Sequence, residues 1–201
     1  MEVNRFDYLW RNTEWYRDKV LEASFVKGIK DGSLDPIAFG GFVIQDCIYL
    51  YEQYKCIEVA KEATKDADLK KILTKLMEKY KGYYEAAFKL WHIDNPSTIK
   101  LGPACQKYVE YMRKASTMDT IYFLVSMTPC MSLWAWLGQE IKRTNHGVYT
   151  QWVNSNFVGG EVLEDLKQKI DTYRYFDYGT AIHLFRDALE NEFDFFNSVG
   201  K

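Results

Sequence analysis

The feature that most constrains the fold of this chain is a helical hydrophobic pattern that runs through most of its 201 residues. Apolar side chains recur at spacings of three and four residues, and only four prolines interrupt them. No segment alternates apolar and polar residues as a half-buried strand does, and no internal repeat or low-complexity linker is recognisable. The sequence therefore predicts an all-α protein, a compact helical bundle in which residues 1–201 form one domain.

Capping residues and breakers predict where the helices begin and end. Asp35-Pro36 is typical of an N-cap followed by a first helical position, and Gly102-Pro103 opens another helix. The predicted helices span about 5–24, 36–61, 66 or 68 to 92, 103–115, 118–143, 149–156, 161–173 and 180–198, with Ser116 or Thr117 capping the fifth. Pro129 lies inside that fifth helix, where the missing backbone donor predicts a kink next to Cys130.

Charge and composition exclude several classes of function. The formal net charge is -2, from 26 basic and 28 acidic residues spread through the chain, which leaves no field to attract nucleic acid or anionic lipid. The N-terminal residues lack the apolar core of a signal peptide, and we assign no transmembrane segment. We expect a soluble, cytoplasmic protein that binds neither nucleic acid nor a membrane.

The cysteines give no sign of a disulfide framework or a zinc site. Cys47, Cys56, Cys105 and Cys130 form neither CxxC pairs nor the dense spacing of secreted scaffolds, so we expect reduced thiols. Only three histidines are present, and none lies at finger spacing from a cysteine pair. The sequence therefore predicts no structural zinc.

The segment from Phe39 to Leu50 places an acid within an apolar helical face. Phe42, Asp46 and Tyr49 are spaced so that they share one side of a helix. Burying an ionised carboxylate among aromatic rings costs several kcal/mol unless a partner or a ligand satisfies it. We therefore expect something polar to meet Asp46. The 15 Tyr, 12 Phe and 6 Trp residues suit either an ordinary core or a pocket for a flat ligand.

The last predicted helix repeats this anomaly. Its apolar stripe consists of Ile182, Phe185, Leu189 and Phe196. Glu192 falls inside the stripe, whereas Glu190 points elsewhere, so a second acid is predicted to face inward.

A cysteine beside the expected kink completes a possible reactive set. Cys130 precedes Trp134 by one turn, and its thiolate is a nucleophile if hydrogen bonds or an adjacent base favour it. With Asp46 and Glu192 it forms a candidate nucleophile and general acid/base set. The alternative is structural: each acid pairs with an inward Arg, Lys or tyrosine hydroxyl, and Cys130 is a buried thiol at a packing kink.

A set of short motifs extends over nearly the whole chain in a fixed order. It begins with Phe25-Val26-Lys27-Gly28-Ile29-Lys30-Asp31-Gly32-Ser33-Leu34, Phe39, Gln45-Asp46 and Tyr49-Leu50. It continues with Pro129-Cys130, the aromatic helix that follows, Tyr149 and Trp152, and ends with Glu192 and Phe195-Phe196. Together these motifs resemble the TenA family (thiaminase II, aminopyrimidine aminohydrolase).

The resemblance implies a haem-oxygenase-like all-helical fold without bound haem or another cofactor. It also implies a homo-oligomer, usually a tetramer, and a deep pocket for a substituted aminopyrimidine. In that family a cysteine attacks the pyrimidine ring and labilises the group on its exocyclic methylene, after which water releases the hydroxymethyl product. The role implied by the resemblance is therefore thiamin salvage.

The family's functional residues match positions in this chain. By resemblance, Cys130 is the nucleophile, Asp46 orients the thiol or the ring, and Glu192 bonds to a ring nitrogen and transfers protons. Tyr49 and Tyr108 match tyrosines that stack on or bond to the pyrimidine. Phe42 is expected to add a further wall to the pocket.

Two positions depart from the family pattern. Trp134 replaces a tyrosine four residues past the nucleophile and offers only an indole donor, and Asn156 replaces a tyrosine four residues after Trp152. We assign both to the substrate-binding set. If the missing hydroxyls normally hold the thiol, Cys130 is less nucleophilic here. A hydrolase acting on a thiamin-derived aminopyrimidine or on thiamin therefore stands beside a homologue that only binds a pyrimidine or takes an altered substrate.

A different chemistry in the same fold would use iron. Glu85 with His92, and His183 with Asp187, have spacings that resemble part of the di-iron set of some haem-oxygenase-like oxidases. Glu190 occupies the position where a second histidine would be expected, so the ligand set is incomplete. We therefore assign no metal ligand.

Overall fold

A computed structural model describes residues 4–142 and 145–199. It confirms the all-α prediction, since the described residues contain no strand. The helices are α1 (Arg5–Arg11), α2 (Glu14–Leu21), α3 (Ser24–Asp31), α4 (Pro36–Ala63), α5 (Ala67–Leu90), α6 (Pro103–Ser116), α7 (Thr120–Ile141), α8 (Thr150–Asn156), α9 (Glu161–Thr172) and α10 (Tyr178–Phe196). Short 3₁₀ turns occur at Pro96–Thr98 and Gly147–Tyr149.

The predicted first helix, 5–24, is wrong as a single element, because the chain breaks between α1 and α2 and again before α3. Thr13 explains the first break: its hydroxyl donates to the carbonyl oxygens of Leu9 and Trp10, at 2.9 and 3.1 Å. Such a side-chain bond competes with continuation of the helical ladder. Ala23, at the second break, is in an extended conformation with ψ 142°.

The start of the fifth predicted helix also needs correction. α7 has Asp119 as its N-cap residue rather than Ser116 or Thr117, because α6 continues to Ser116. The predicted end at Arg143 lies outside the described residues. Pro129 lies inside α7, as predicted, and the helix continues past it to Ile141.

The bundle is organised around α4, α7 and α10. α4 packs along α5 and α6, whereas α10 packs along α7 and α6, and α7 also contacts α9. The chain from Thr120 to Gln139 carries no charge, a run that the sequence interpretation overlooked. Among the described helices α7 alone is long and apolar enough to cross a membrane. Of its most apolar stretch of 18 residues, 67% is buried inside the protein. That burial is typical of the core helix of a bundle.

The turn between α3 and α4 is held against the segment that precedes α8. Gly32 ends α3 with φ 75°, a left-handed conformation that favours glycine, and a Cβ there would lie 3.0 Å from the backbone of His146. The His146 side chain is buried there, with Nδ1 3.1 Å from the Ile29 carbonyl oxygen. The Tyr149 hydroxyl donates to the Leu34 carbonyl oxygen at 2.6 Å. These contacts position α8 over the start of α4.

Candidate functional site

A cavity of about 340 Å³ lies among α4, α5, α6, α7 and α10, with α8 and the start of α9 at its outer end. Its inner wall brings together five of the residues predicted from the sequence. They are Asp46 and Tyr49 of α4, Tyr108 of α6, Cys130 of α7 and Glu192 of α10. The structure therefore places the two predicted acids and the predicted nucleophile in one space of small-molecule size.

Glu192 is held by hydrogen bonds to both carboxylate oxygens. Its side chain is buried, with 2% of its surface exposed. Oε1 accepts from the Tyr108 hydroxyl at 2.7 Å, and Oε2 accepts from Trp134 Nε1 at 3.3 Å. Burial raises the pKa of Glu192, whereas the hydrogen bonds from Tyr108 and Trp134 and the nearby Cys130 thiol oppose that shift by stabilising the carboxylate.

Cys130 is partly exposed, and the cavity is the space that its thiol faces. Burial raises its pKa well above the ordinary value, and the negative charge of Glu192 raises it further. The neighbouring Tyr49 hydroxyl acts in the opposite direction and lowers the pKa of the thiol, but by less than burial and Glu192 raise it. Cys130 is therefore a neutral thiol in the resting site, next to a carboxylate that can accept its proton.

Asp46 is the second acid that faces the cavity. It is half-buried because it faces the cavity, and no hydrogen bond or ion pair satisfies its carboxylate within residues 4–142 and 145–199. Burial, together with the nearby charge of Glu192, raises the pKa of Asp46 to about 7. Near neutral pH this residue is therefore divided between a carboxylic acid and a carboxylate.

Aromatic rings form the walls between these polar groups. The rings of Tyr49 and Tyr108 are 4.6 Å apart and tilted by 33°. Trp134 contacts Phe157, Trp152 and Phe196, with ring centroids 4.9, 6.0 and 5.4 Å away. The site is thus flat-walled, as suits a planar heterocycle.

Two predicted contact residues differ in where the structure places them. Phe42 does not line the cavity; it is 1% exposed and packs against Phe25 and Phe196. Its spacing correctly indicated an inward face of α4, but the ring fills the core behind the cavity. Asn156 lies at the exposed rim of the cavity, where its Nδ2 donates to the Trp152 carbonyl oxygen at 2.8 Å.

The sequence interpretation missed the contribution of α5. Tyr80 lines the cavity at 4% exposure, and Lys79 and Tyr83 line it as well. Leu73, Leu76 and Tyr80 share one face of α5, so a helical-spacing test could have identified Tyr80 as an inward residue. Burial raises the pKa of Tyr80 well above its ordinary value, so it stays a neutral hydroxyl.

The residues considered for a di-iron centre do not assemble. Glu85, His92, His183 and Asp187 are all exposed. Throughout the described part of the chain, no group of three or more His, Cys, Asp or Glu side chains is arranged to hold a metal ion. The arrangement expected of a di-iron oxidase is therefore not formed by these side chains.

The fold and the site together define an all-helical bundle whose internal cavity carries a thiol and two acids among aromatic rings. The chain belongs to the TENA/THI-4/PQQC family, whose sequence model matches residues 11–190, and the resemblance seen in the motifs is thereby confirmed. A solved TenA homologue from P. horikoshii superposes with a TM-score of 0.83 at 20% identity, covering 96% of this chain and 97% of that one. A putative TenA-like thiaminase from Sulfolobus solfataricus gives 0.77 at 19%, covering 98% and 96%.

Relatives with curated names are longer proteins. A hydroxymethylpyrimidine/phosphomethylpyrimidine kinase of Saccharomyces cerevisiae is 23% identical over 200 residues, which cover 90% of this chain and 36% of that protein. The mitochondrial bifunctional TH2 protein of Arabidopsis thaliana is 23% identical over 202 residues, covering 83% and 32%. The chain thus spans about a third of the length of these relatives.

Proposed function

We propose that this protein acts in thiamin metabolism as a hydrolase. It releases hydroxymethylpyrimidine from an aminopyrimidine whose exocyclic methylene carries a leaving group, thiamin included. The observation that carries the proposal is the cavity that brings together the Cys130 thiol, the Glu192 carboxylate and Asp46, with the thiol and Glu192 near enough to shift each other's pKa. Family membership and the names of the yeast relatives support a pyrimidine ligand.

Asp46 has the proton affinity needed to bind the aminopyrimidine edge. That edge presents an amino donor beside a ring-nitrogen acceptor, and a neutral carboxylic acid presents the complementary acceptor and donor. A pKa of about 7 makes the neutral form available near neutral pH. Tyr49 and Tyr108, whose rings contact each other, form one aromatic wall against which the ligand ring stacks within reach of Cys130.

Cys130 is the proposed nucleophile and Glu192 its base. As the thiol attacks a ring carbon, its proton passes to Glu192, which lines the same cavity and is electrostatically coupled to the thiol. A new carbon–sulfur bond forms, and the ring nitrogens take up the electron pair together with a proton. The bond to the leaving group then breaks, the leaving group departs with a proton, and water adds to the methylene. Loss of the thiol restores the ring, so the balance is one water consumed for each product released.

The test is product release by purified protein. Incubation with 4-amino-5-aminomethyl-2-methylpyrimidine, and separately with thiamin, should release the hydroxymethylpyrimidine, with one ammonia per turnover from the first compound. Cys130→Ala should still bind the pyrimidine, seen as a rise in melting temperature, but should release no product because the nucleophile is missing.

Cys56→Ala is the matched control, because Cys56 is buried on α4 and does not line the cavity. It should keep wild-type turnover. Binding by the wild type without release would contradict the hydrolase proposal and support a homologue that only binds a pyrimidine. Equal release by wild type and Cys130→Ala would remove Cys130 from the mechanism.

A further inference from the structure

The outer end of the cavity differs in chemistry from the inner end. Its lining includes Tyr83, Leu90 and Val158, which are 44%, 70% and 53% exposed, and the backbone of Gly159 and Gly160. These groups come from α5 and from the connection between α8 and α9. A substituent that projects from a ring bound at the inner acids would therefore meet this end of the cavity.

Lys79 is the charged residue of that outer lining. Its Nζ lies 5.6 Å from the centroid of the Tyr83 ring, and a Cβ built on Gly160 would lie 3.1 Å from the same atom. Because Tyr83 and Gly160 both line the cavity, the ammonium sits at its rim. The residue is half-buried, so its charge is partly removed from water.

The Lys79 ammonium forms no ion pair with the residues that the structure describes, since none of their carboxylates lies within ion-pair distance of it. Glu161, at the start of α9, instead pairs with Lys75 at 3.8 Å. The cavity lining therefore carries its acids, Asp46 and Glu192, at the inner end and a cation at the outer end.

We infer that Lys79 is a specificity residue that selects aminopyrimidines whose leaving group carries an anion, a carboxylate or a phosphate. The inference rests on the proposed function, since it assumes that the ring binds at Asp46 and Glu192. An anion at the outer end gains the ammonium as a partner in a partly desolvated site. A cationic leaving group meets like charge there, so the site disfavours the thiazolium of thiamin relative to an anionic amide.

The experiment compares ligands that differ in one charged group. The aminomethylpyrimidine is prepared as its N-acetyl, N-malonyl and N-phosphonoacetyl amides, which carry no anion, a carboxylate and a phosphonate as a phosphate mimic. Dissociation constants are measured by calorimetry on Cys130→Ala, and kcat/KM is measured on the otherwise wild-type protein. The anionic ligands should bind about fivefold more tightly than the acetyl ligand, an advantage that shrinks at high salt.

Variants at position 79 assign the effect. Lys79→Met should bring the ratio of anionic to neutral affinity to about one, because it keeps the length of the side chain and removes the charge. Lys79→Arg should retain the preference. Lys81→Met is the control, since Lys81 lies on the same helix and is exposed beside Glu85, 3.8 Å away.

The outcomes separate this inference from the proposed function. A ratio that is unchanged in Lys79→Met, or a wild type that prefers the acetyl ligand, would overturn the role of Lys79 even if hydrolysis occurs. Binding that depends on Lys79 without any release would leave the anion site standing and overturn the hydrolase. No binding of any ligand in the series would overturn both. If only the malonyl or only the phosphonoacetyl ligand binds more tightly than the acetyl ligand, that result identifies the anion that Lys79 selects as a carboxylate or a phosphate.

Discussion

The Tyr108 hydroxyl donates a 2.7 Å hydrogen bond to Glu192 Oε1 across 84 residues of sequence, joining α6 to α10 inside the cavity. Trp134 of α7 reaches the other carboxylate oxygen at 3.3 Å. The proton affinity of Glu192 is therefore a balance between burial, which raises its pKa, and donors from two other helices, which oppose the rise. Changing one donor at a time tests this balance.

Replacing Tyr108 by Phe removes the shorter of these two bonds. The pKa of Glu192 should rise, because a donor that stabilises its carboxylate is lost. Since the base must be ionised to accept the thiol proton, the acid limb of the kcat/KM profile should move to higher pH. At neutral pH kcat/KM should fall roughly tenfold.

Tyr111→Phe is the control, because the Tyr111 hydroxyl donates to the Leu184 carbonyl oxygen instead. An acid limb that does not move in Tyr108→Phe would contradict Glu192 as the base.

Replacing Trp134 by Phe tests the longer bond. The ring contacts with Phe157 and Phe196 can be kept, whereas the Nε1 donor to Glu192 is lost. We expect the acid limb to shift in the same direction as for Tyr108→Phe. The decrease in kcat should be about threefold, which corresponds to the free energy of one weak hydrogen bond. Trp136→Phe is the control, because Trp136 lies on α7 like Trp134 but packs beside Arg17 of α2. This variant should leave the pH profile unchanged. Steady-state kinetics across pH distinguishes the two.

Asp46 should make the protein less stable as the pH rises. Its pKa in the folded state is raised from 3.8 to about 7, so between these values the folded protein binds a proton that the unfolded chain has released. The free energy of unfolding should therefore fall through this window, by roughly 2 kcal/mol between about pH 5 and about pH 8. Asp46→Asn should remove most of that fall.

Urea unfolding of both proteins at the two pH values measures the difference. Glu62→Gln, an exposed position on the same helix, is the control and should keep the wild-type dependence. An identical pH dependence in Asp46→Asn and wild type would show that Asp46 does not carry the buried proton.

The connection between α8 and α9 depends on a close approach at Gly138. A Cβ at this position would lie 2.1 Å from the Phe157 carbonyl oxygen, which is backbone and cannot turn away. Gly138→Ala should therefore destabilise the protein by roughly 1–3 kcal/mol and weaken ligand binding, since residues 158–160 line the cavity.

Gly82→Ala is the opposite case. Nothing lies within 4 Å of a Cβ there, so this exposed helical position should gain about 0.5–1 kcal/mol. Thermal unfolding of both variants, with ligand affinity measured alongside, checks the contrast.

Helix starts and helical faces that depend on neighbouring residues could be predicted from the sequence. The Asp35 N-cap accepts from the Ile37 amide at 2.6 Å, as its position before Pro36 predicted, and α6 begins at the predicted Pro103. The apolar stripe with Glu192 inside it was equally visible, because residues of one helical face recur at a fixed spacing. The break between α1 and α2 was not predicted, because the hydrogen bonds of one side-chain hydroxyl, that of Thr13, decided between continuing the helix and ending it.

By itself the sequence determined the all-α class, the inward direction of Asp46 and Glu192, and the family to which the chain belongs. Only the tertiary structure decided what these groups meet. Phe42 shares a face with Asp46 yet packs in the core, while Tyr80 and Lys79 of α5 reach the cavity. The reason is physical: helical periodicity defines a side of one helix, but the neighbour of that side depends on how whole helices pack. The low exposure that raises the pKa of Asp46 to about 7 arises only when those helices meet.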